Sequence, residues 1–164
     1  MLYIRTLASP DAIASRSVTL PFESRSKSRL HTHLDDGTEV ALVLPRGAVL
    51  RNGDKLAAED GSIVAVVAAH QTLSTVASGD LWLLTRAAYH LGNRHVPLQI
   101  EPGKLRFEHD HVLDDLVRSL GLEVTVESAA FEPEQGSYAG GHRHRVEVDH
   151  HGHAHDHTHM DEES

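Results

Sequence analysis

Residues 73–126 read LSTVASGDLWLLTRAAYHLGNRHVPLQIEPGKLRFEHDHVLDDLVRSLGLEVTV, and strand and helix signals alternate along them. Leu73 to Ala77 predicts a strand. Ser78-Gly79-Asp80 then opens a helix, with Ser78 or Asp80 as the cap, because a short polar side chain can accept from the free N–H groups of the first turn. Leu81, Leu84, Ala88 and Leu91 fall on one face at helical spacing, and Gly92-Asn93 ends the run. Val96 to Ile100 predicts a strand carrying Pro97. Pro102-Gly103 is a turn, and Leu105-Arg106-Phe107 a further strand. Asp110 caps a second helix whose apolar stripe is Leu113, Leu116, Val117 and Leu120. Asp114 and Asp115 sit in its first turn, where the helix dipole favours negative charge. Gly121 stops it, and Leu122 to Val126 is a last strand. The order β-α-β-β-α-β is the ferredoxin-like arrangement.

Upstream the pattern is different. Met1 to Leu7 and Glu39 to Leu44 predict strands, the second ended by Pro45-Arg46-Gly47. Asn52-Gly53-Asp54 and Glu59-Asp60-Gly61 are turns of the kind that need positive φ. Ser62 to Ala69 is rich in β-branched residues and predicts another strand. Short strands between repeated turns indicate a small all-β module. The expected fold is therefore α+β: an N-terminal β domain over residues 1–71, a ferredoxin-like domain over 72–131, and a histidine-rich tail over 132–164. The first boundary falls near Ala69 to Leu73. The stretch Glu132 to Gly141 is linker-like. From His142 onward no apolar periodicity remains, so this tail cannot bury enough surface to offset its ordering entropy.

Composition narrows the function classes. Against 15 Lys and Arg stand 24 Asp and Glu, a formal net charge of −9. That disfavours nucleic acid, whose phosphates need a basic surface, and suits a protein that handles cations. Cysteine is absent, which excludes disulfides and thiolate metal sites. The N-terminus lacks a basic region followed by an apolar one, and no apolar stretch has the length of a membrane span. A cytoplasmic location is the expectation.

The chain has 15 histidines, and the tail holds His142, His144, His150, His151, His153, His155, His157 and His159. Imidazole suits Ni, Zn and Cu, and alternation with single residues lets several rings close on one ion. Asp149, Asp156 and Asp161 add oxygen ligands. Such a segment collects ions but fixes no open coordination position, which favours a carrier over a catalyst. In the folded part, His95 sits at a helix exit. A lone loop histidine reads first as plain surface, and one ring per chain cannot hold a metal alone, but a symmetric dimer would present two. His109 and His111 flank Asp110 at a helix entry, either as plain surface or as a secondary ligand pair. His31 and His33 share one face of a strand and read as surface residues, as do His70 and His90.

Tyr89-His90-Leu91-Gly92-Asn93-Arg94-His95-Val96-Pro97-Leu98 resembles the signature of the UreE family of urease accessory proteins, which are nickel metallochaperones. Glu108-His109-Asp110-His111-Val112-Leu113 is similar to that family's second histidine cluster. Leu44-Pro45-Arg46-Gly47 with Leu50, Gly53-Asp54 and Gly61 resembles its N-terminal module. The resemblance implies a peptide-binding-like β domain and a ferredoxin-like metal-binding domain. It implies a homodimer through the latter, with His95 of both chains at a shared Ni(II) site and with His109 and His111 as further metal positions. It also implies delivery of nickel to the urease apoprotein together with the accessory GTPase of that system, with Zn(II) or Cu(II) as competitors for the same ligands. The chain departs from the family pattern at His70-Gln71, where an acidic residue is expected.

The rival readings are a histidine-tailed metal buffer with no delivery target, a metallohydrolase, and a ferredoxin-like RNA binder. A metallohydrolase needs a fixed ion beside a general base, and no such constellation is present in the sequence. An RNA binder conflicts with the acidic balance and with the lack of aromatic residues on the strands.

Overall fold

The computed structural model describes residues 1–136. Two sheets divide these residues. The first contains β1 (Leu2–Leu7), β2 (Arg16–Leu20), β3 (Arg29–His33), β4 (Glu39–Val43), β5 (Lys55–Ala58) and β6 (Ile63–Ala68), in the order β2-β6-β5-β1-β4-β3. A one-turn helix, α1 (Phe22–Arg25), follows β2. Val18 and Leu20 on β2, Val40 and Leu42 on β4, and Val64 and Val66 on β6 all alternate inward, the period of two that half-buried strands require. They form one core with Ile4, Leu50 and Leu56. The pairs β1–β4 and β2–β6 are parallel, and the other pairs antiparallel.

The second sheet has the order β10-β7-β9-β8, made of β7 (His70–Ala77), β8 (Gln99–Glu101), β9 (Lys104–Glu108) and β10 (Thr125–Ala130). Helix α2 (Leu81–Asn93) joins β7 to β8, and α3 (His111–Ser119) joins β9 to β10. Every neighbouring pair is antiparallel. This is the βαββαβ order expected of a ferredoxin-like domain, with its own core of Val76, Leu84, Ala87, Leu91, Leu105, Phe107 and Val117.

Details differ from the sequence expectation for local reasons. Pro97 has no N–H to give to a ladder, and β8 begins only at Gln99. The last strand starts at Thr125 rather than Leu122, because Leu122 and Val124 turn into the core before the chain reaches β7. On α2 the buried stripe is Leu84, Ala87 and Leu91, while Leu81 is exposed. Helix α2 runs through Gly92 and Asn93 and stops one residue further on.

Residues 131–136 are not a free linker. Arg25 is fully buried and its guanidinium donates to Leu20 O (3.1 Å), Leu50 O (3.1 Å), Glu132 Oε1 (2.5 Å) and Phe131 O. The Phe131 ring stands edge-on to Phe22 at 5.7 Å. Arg51 Nη1 donates to Pro133 O (2.7 Å), and the N–H of Glu134 donates to Leu98 O (2.8 Å). A buried guanidinium must find acceptors for its N–H groups. The chain leaving the second sheet supplies two of them, so it is drawn back across the first.

Candidate metal centre

Helix α2 begins at Asp80, whose carboxylate accepts from the N–H of Leu83 (3.1 Å). It ends in a Schellman arrangement: the N–H of His95 reaches Gly92 O (3.0 Å) and that of Val96 reaches Leu91 O (3.5 Å). The residue after the cap in this motif takes the left-handed conformation, which glycine adopts without penalty. Here that residue is His95, at φ 57°, alone among the described non-glycine residues in having positive φ. For an L-residue this conformation costs roughly 1–2 kcal/mol. Strain of this kind collects at functional positions, and here it turns an imidazole outward at the helix exit, where His95 is exposed.

His95 borders an open cleft of about 500 Å³ that also touches Phe22, Ala88, Pro97 and Ile100, with Glu134, Gln135 and Gly136 on its wall. Val96 to Leu98 and the 131–136 segment therefore run side by side. A second hollow, about 310 Å³, shares Ala88 and Ile100 and extends along Leu81 and Thr85. Leu81, Thr85, Ala88 and Gly92 recur at helical spacing on the outer face of α2. Leu81 (66%), Trp82 (71%), Tyr89 (65%) and Ile100 (50%) leave a large share of apolar surface to solvent on this side of the domain. His95 lies at the end of that stripe.

The second histidine pair is built at the entry of α3. Asp110 accepts from the N–H groups of Val112 (2.8 Å) and Leu113 (3.1 Å) as the helix cap. These bonds, that of Leu113 first, hold its carboxyl below the ordinary range, and the neighbouring His111 and His109 add to the effect. His111 is exposed in the first turn. His109 precedes the cap, its N–H bonded to Thr72 O (3.1 Å), and its ring is half-exposed.

Asp114 lies in the first turn of α3 as the sequence predicts, and it is buried at 2% exposure. Its Oδ1 accepts from Ser74 Oγ (2.5 Å) and its Oδ2 lies 3.2 Å from His109 Nδ1. It lies beside Val117 on the inward face, a position that the spacing from Asp110 makes readable, although carboxylates are so seldom buried that charge alone suggests the surface. Ser74 likewise gave no signal in the sequence.

Neither His109 nor His111 borders the His95 cleft. Among the described residues no three His, Asp or Glu side chains converge on a point where a metal would sit. His31 pairs with Glu39 (3.0 Å) on the first sheet, and both His31 and His33 are exposed, as is His70. The eight tail histidines, His142 to His159, lie outside the described residues.

Fold and site together define an α+β protein made of a β-sheet domain and a ferredoxin-like domain, with histidines displayed on the surface of the second. Comparison with known proteins makes this specific. Residues 3–69 match the model of the UreE urease accessory protein N-terminal domain, and residues 71–159 that of its C-terminal domain. A urease accessory protein UreE of Pseudomonas putida is 58% identical over 136 residues, 82% of either chain. One of Citrobacter koseri is 50% identical over 148 residues, 88% of this chain and 97% of that one. One of Alkalilimnicola ehrlichii is 57% identical over 129 residues, 79% of either chain. The chain belongs to the UreE urease accessory protein family, a family of accessory chaperones and not of enzymes. No helix among the described residues is long and apolar enough to cross a membrane.

Proposed function

We propose that this protein is a cytoplasmic nickel metallochaperone that binds Ni(II) and hands it to the urease apoprotein during assembly of the urease active site, in concert with the accessory GTPase. Its working unit is a homodimer. The observation that carries the reading is His95. It is held at positive φ, exposed, at the mouth of a cleft whose other wall leads into the histidine-rich sequence. One imidazole binds an ion weakly, so a second copy supplies its own His95 across a two-fold axis. The exposed apolar stripe of α2, running from Leu81 to Ala88 and continued by Ile100, offers the surface for that association.

The tail histidines His142, His144, His150, His151, His153, His155, His157 and His159 gather ions from dilute solution. His142 follows Gly136 by six residues, a reach of at most about 20 Å. Their local concentration at the His95 cleft is therefore high. His109 and His111 serve as secondary positions for ions in transit. The ion is cargo and its ligands are exchangeable imidazoles. A recipient's ligands then displace them one at a time, as an open site allows and an enclosed one does not. Zn(II) and Cu(II) compete for the same nitrogen donors. The chain acts as three parts, 1–71, 72–131 and 132–164, of which the second carries the shared site.

The test is activation of urease apoprotein with the other accessory proteins at limiting nickel. His95→Ala with an intact tail is expected to remove most of the gain that the wild type provides. Full activation by that variant would replace delivery through His95 with simple buffering by the tail.

A further inference from the structure

We propose that Asp114 is a positioning residue that fixes His109 as a metal ligand through Nε2. The inference rests on the reading of His109 as a ligand and adds which nitrogen it offers and what makes it do so. Three groups meet: Ser74 of β7, Asp114 of α3, and the ring of His109 in the link between β9 and α3. Ser74 and Asp114 are buried, at 0% and 2% exposure, while the His109 side chain keeps 39%.

The hydrogen-bond geometry points to one tautomer of the neutral His109 ring. Ser74 Oγ donates its O–H to Asp114 Oδ1 at 2.5 Å. That proton is then unavailable to His109 Nδ1, which stands 3.1 Å from Ser74 Oγ and 3.2 Å from Asp114 Oδ2. Both oxygens face Nδ1 as acceptors. In the neutral ring only the tautomer with its proton on Nδ1 satisfies them, and the lone pair is then on Nε2. A carboxylate behind a metal-binding imidazole plays this part in general, setting tautomer and orientation and raising ligand basicity. Free imidazole side chains favour the opposite tautomer, whose proton on Nε2 blocks ligation through that nitrogen.

Asp114→Asn keeps the volume and reverses the pattern. Its carbonyl can accept from Ser74, and its NH₂ then faces Nδ1, so the ring moves its proton to Nε2. Ser74→Ala keeps the carboxylate and with it the tautomer.

The experiment is long-range ¹H–¹⁵N correlation NMR of the imidazoles in the ¹⁵N-labelled full chain, at a pH where the rings are neutral. His109 is assigned by the peaks missing in His109→Ala. Zn(II) is then added as a diamagnetic probe, with the tail imidazoles as internal reference. The expected result is an Nδ1–H ring at His109 in the wild type and in Ser74→Ala, and an Nε2–H ring in Asp114→Asn. The Zn(II) midpoint of His109 is expected to rise roughly ten- to a hundredfold in Asp114→Asn, while the tail midpoints stay put. An Nε2–H ring in the wild type overturns the inference without any variant having to fold. So does an unchanged tautomer in Asp114→Asn, and a flip in Ser74→Ala alone would move the role to the serine. A wild-type His109 that never shifts with Zn(II) instead removes the ligand reading on which the inference stands.

Discussion

At the scale of the residue, His95 occupies the place that glycine fills at many helix ends. Its φ of 57° is set by the two bonds that close the Schellman turn, from His95 to Gly92 and from Val96 to Leu91. A histidine retained there costs stability, and the exposed ring is what the cost secures. His95→Gly is therefore expected to stabilise the fold by about 1 kcal/mol, a rise of a few degrees in thermal midpoint, while removing nickel binding at the proposed shared site. His95→Ala keeps the strained backbone and is expected to lose the metal without the thermal gain. Calorimetric melting of both variants checks this, and a fall in Tm for His95→Gly would contradict the strain. The sequence made His95 readable as a helix-exit histidine because Gly92-Asn93 and Pro97 frame it. It could not show that the left-handed position falls on the histidine rather than on Gly92 or Asn93. That depends on where the last turn of α2 packs, which Leu91 and Val96 decide through the core.

At the scale of the element, the helix starts were legible and the strand ends were not. Asp80 and Asp110 cap α2 and α3 through contacts within three residues, so local sequence suffices. Strand limits follow from partners far along the chain: β10 takes its register from β7, pairing Thr125 with Thr75 and Ala130 with His70. Strand β2 gave too short a signal to separate from a loop, and it is fixed by parallel pairing with β6. The burial of Asp114 was not legible for a related reason. Its place on α3 was readable, but its burial depends on Ser74, forty positions earlier in the chain. The cap of α3 also holds the turn that carries His111 and places Asp114 beside His109. Asp110→Ala is expected to cost about 1 kcal/mol and to speed amide exchange at Val112 and Leu113, whose N–H groups it bonds. Asp115→Ala, one turn further and exposed, is expected to change stability little. Denaturant titration with hydrogen exchange separates the two, and equal effects would count against the capping account.

At the scale of the whole molecule, Arg25 ties the two sheets together. It is buried against Leu20 and Leu50 of the first domain and bonds Phe131 and Glu132 as the chain leaves the second. In the sequence it stands among serines and two other basic residues, Lys27 and Arg29, with no local signal of burial; its role emerges only when a partner more than one hundred positions away arrives. Arg25→Ala leaves Leu50 O and Phe131 O without a donor, while Glu132 keeps the N–H of Asn52 and Leu20 O keeps that of Ala69, and is expected to cost roughly 1–3 kcal/mol. Urea unfolding is expected to show it as a lowered midpoint, and a loss below about 1 kcal/mol would rule out the clamp. The same segment brings the root of the histidine-rich sequence to the His95 cleft, so the clamp and the proposed nickel route share one piece of chain. The most direct test of that route is nickel titration calorimetry with molar mass by light scattering. The full chain, a chain ending at Gly141, and that shortened chain with His95→Ala are compared. The account predicts that the shortened protein is a dimer binding one ion per pair of chains, and that His95→Ala abolishes this binding while the dimer remains. Loss of all stoichiometric binding with the tail, or one ion per pair retained by the His95→Ala variant, would contradict it.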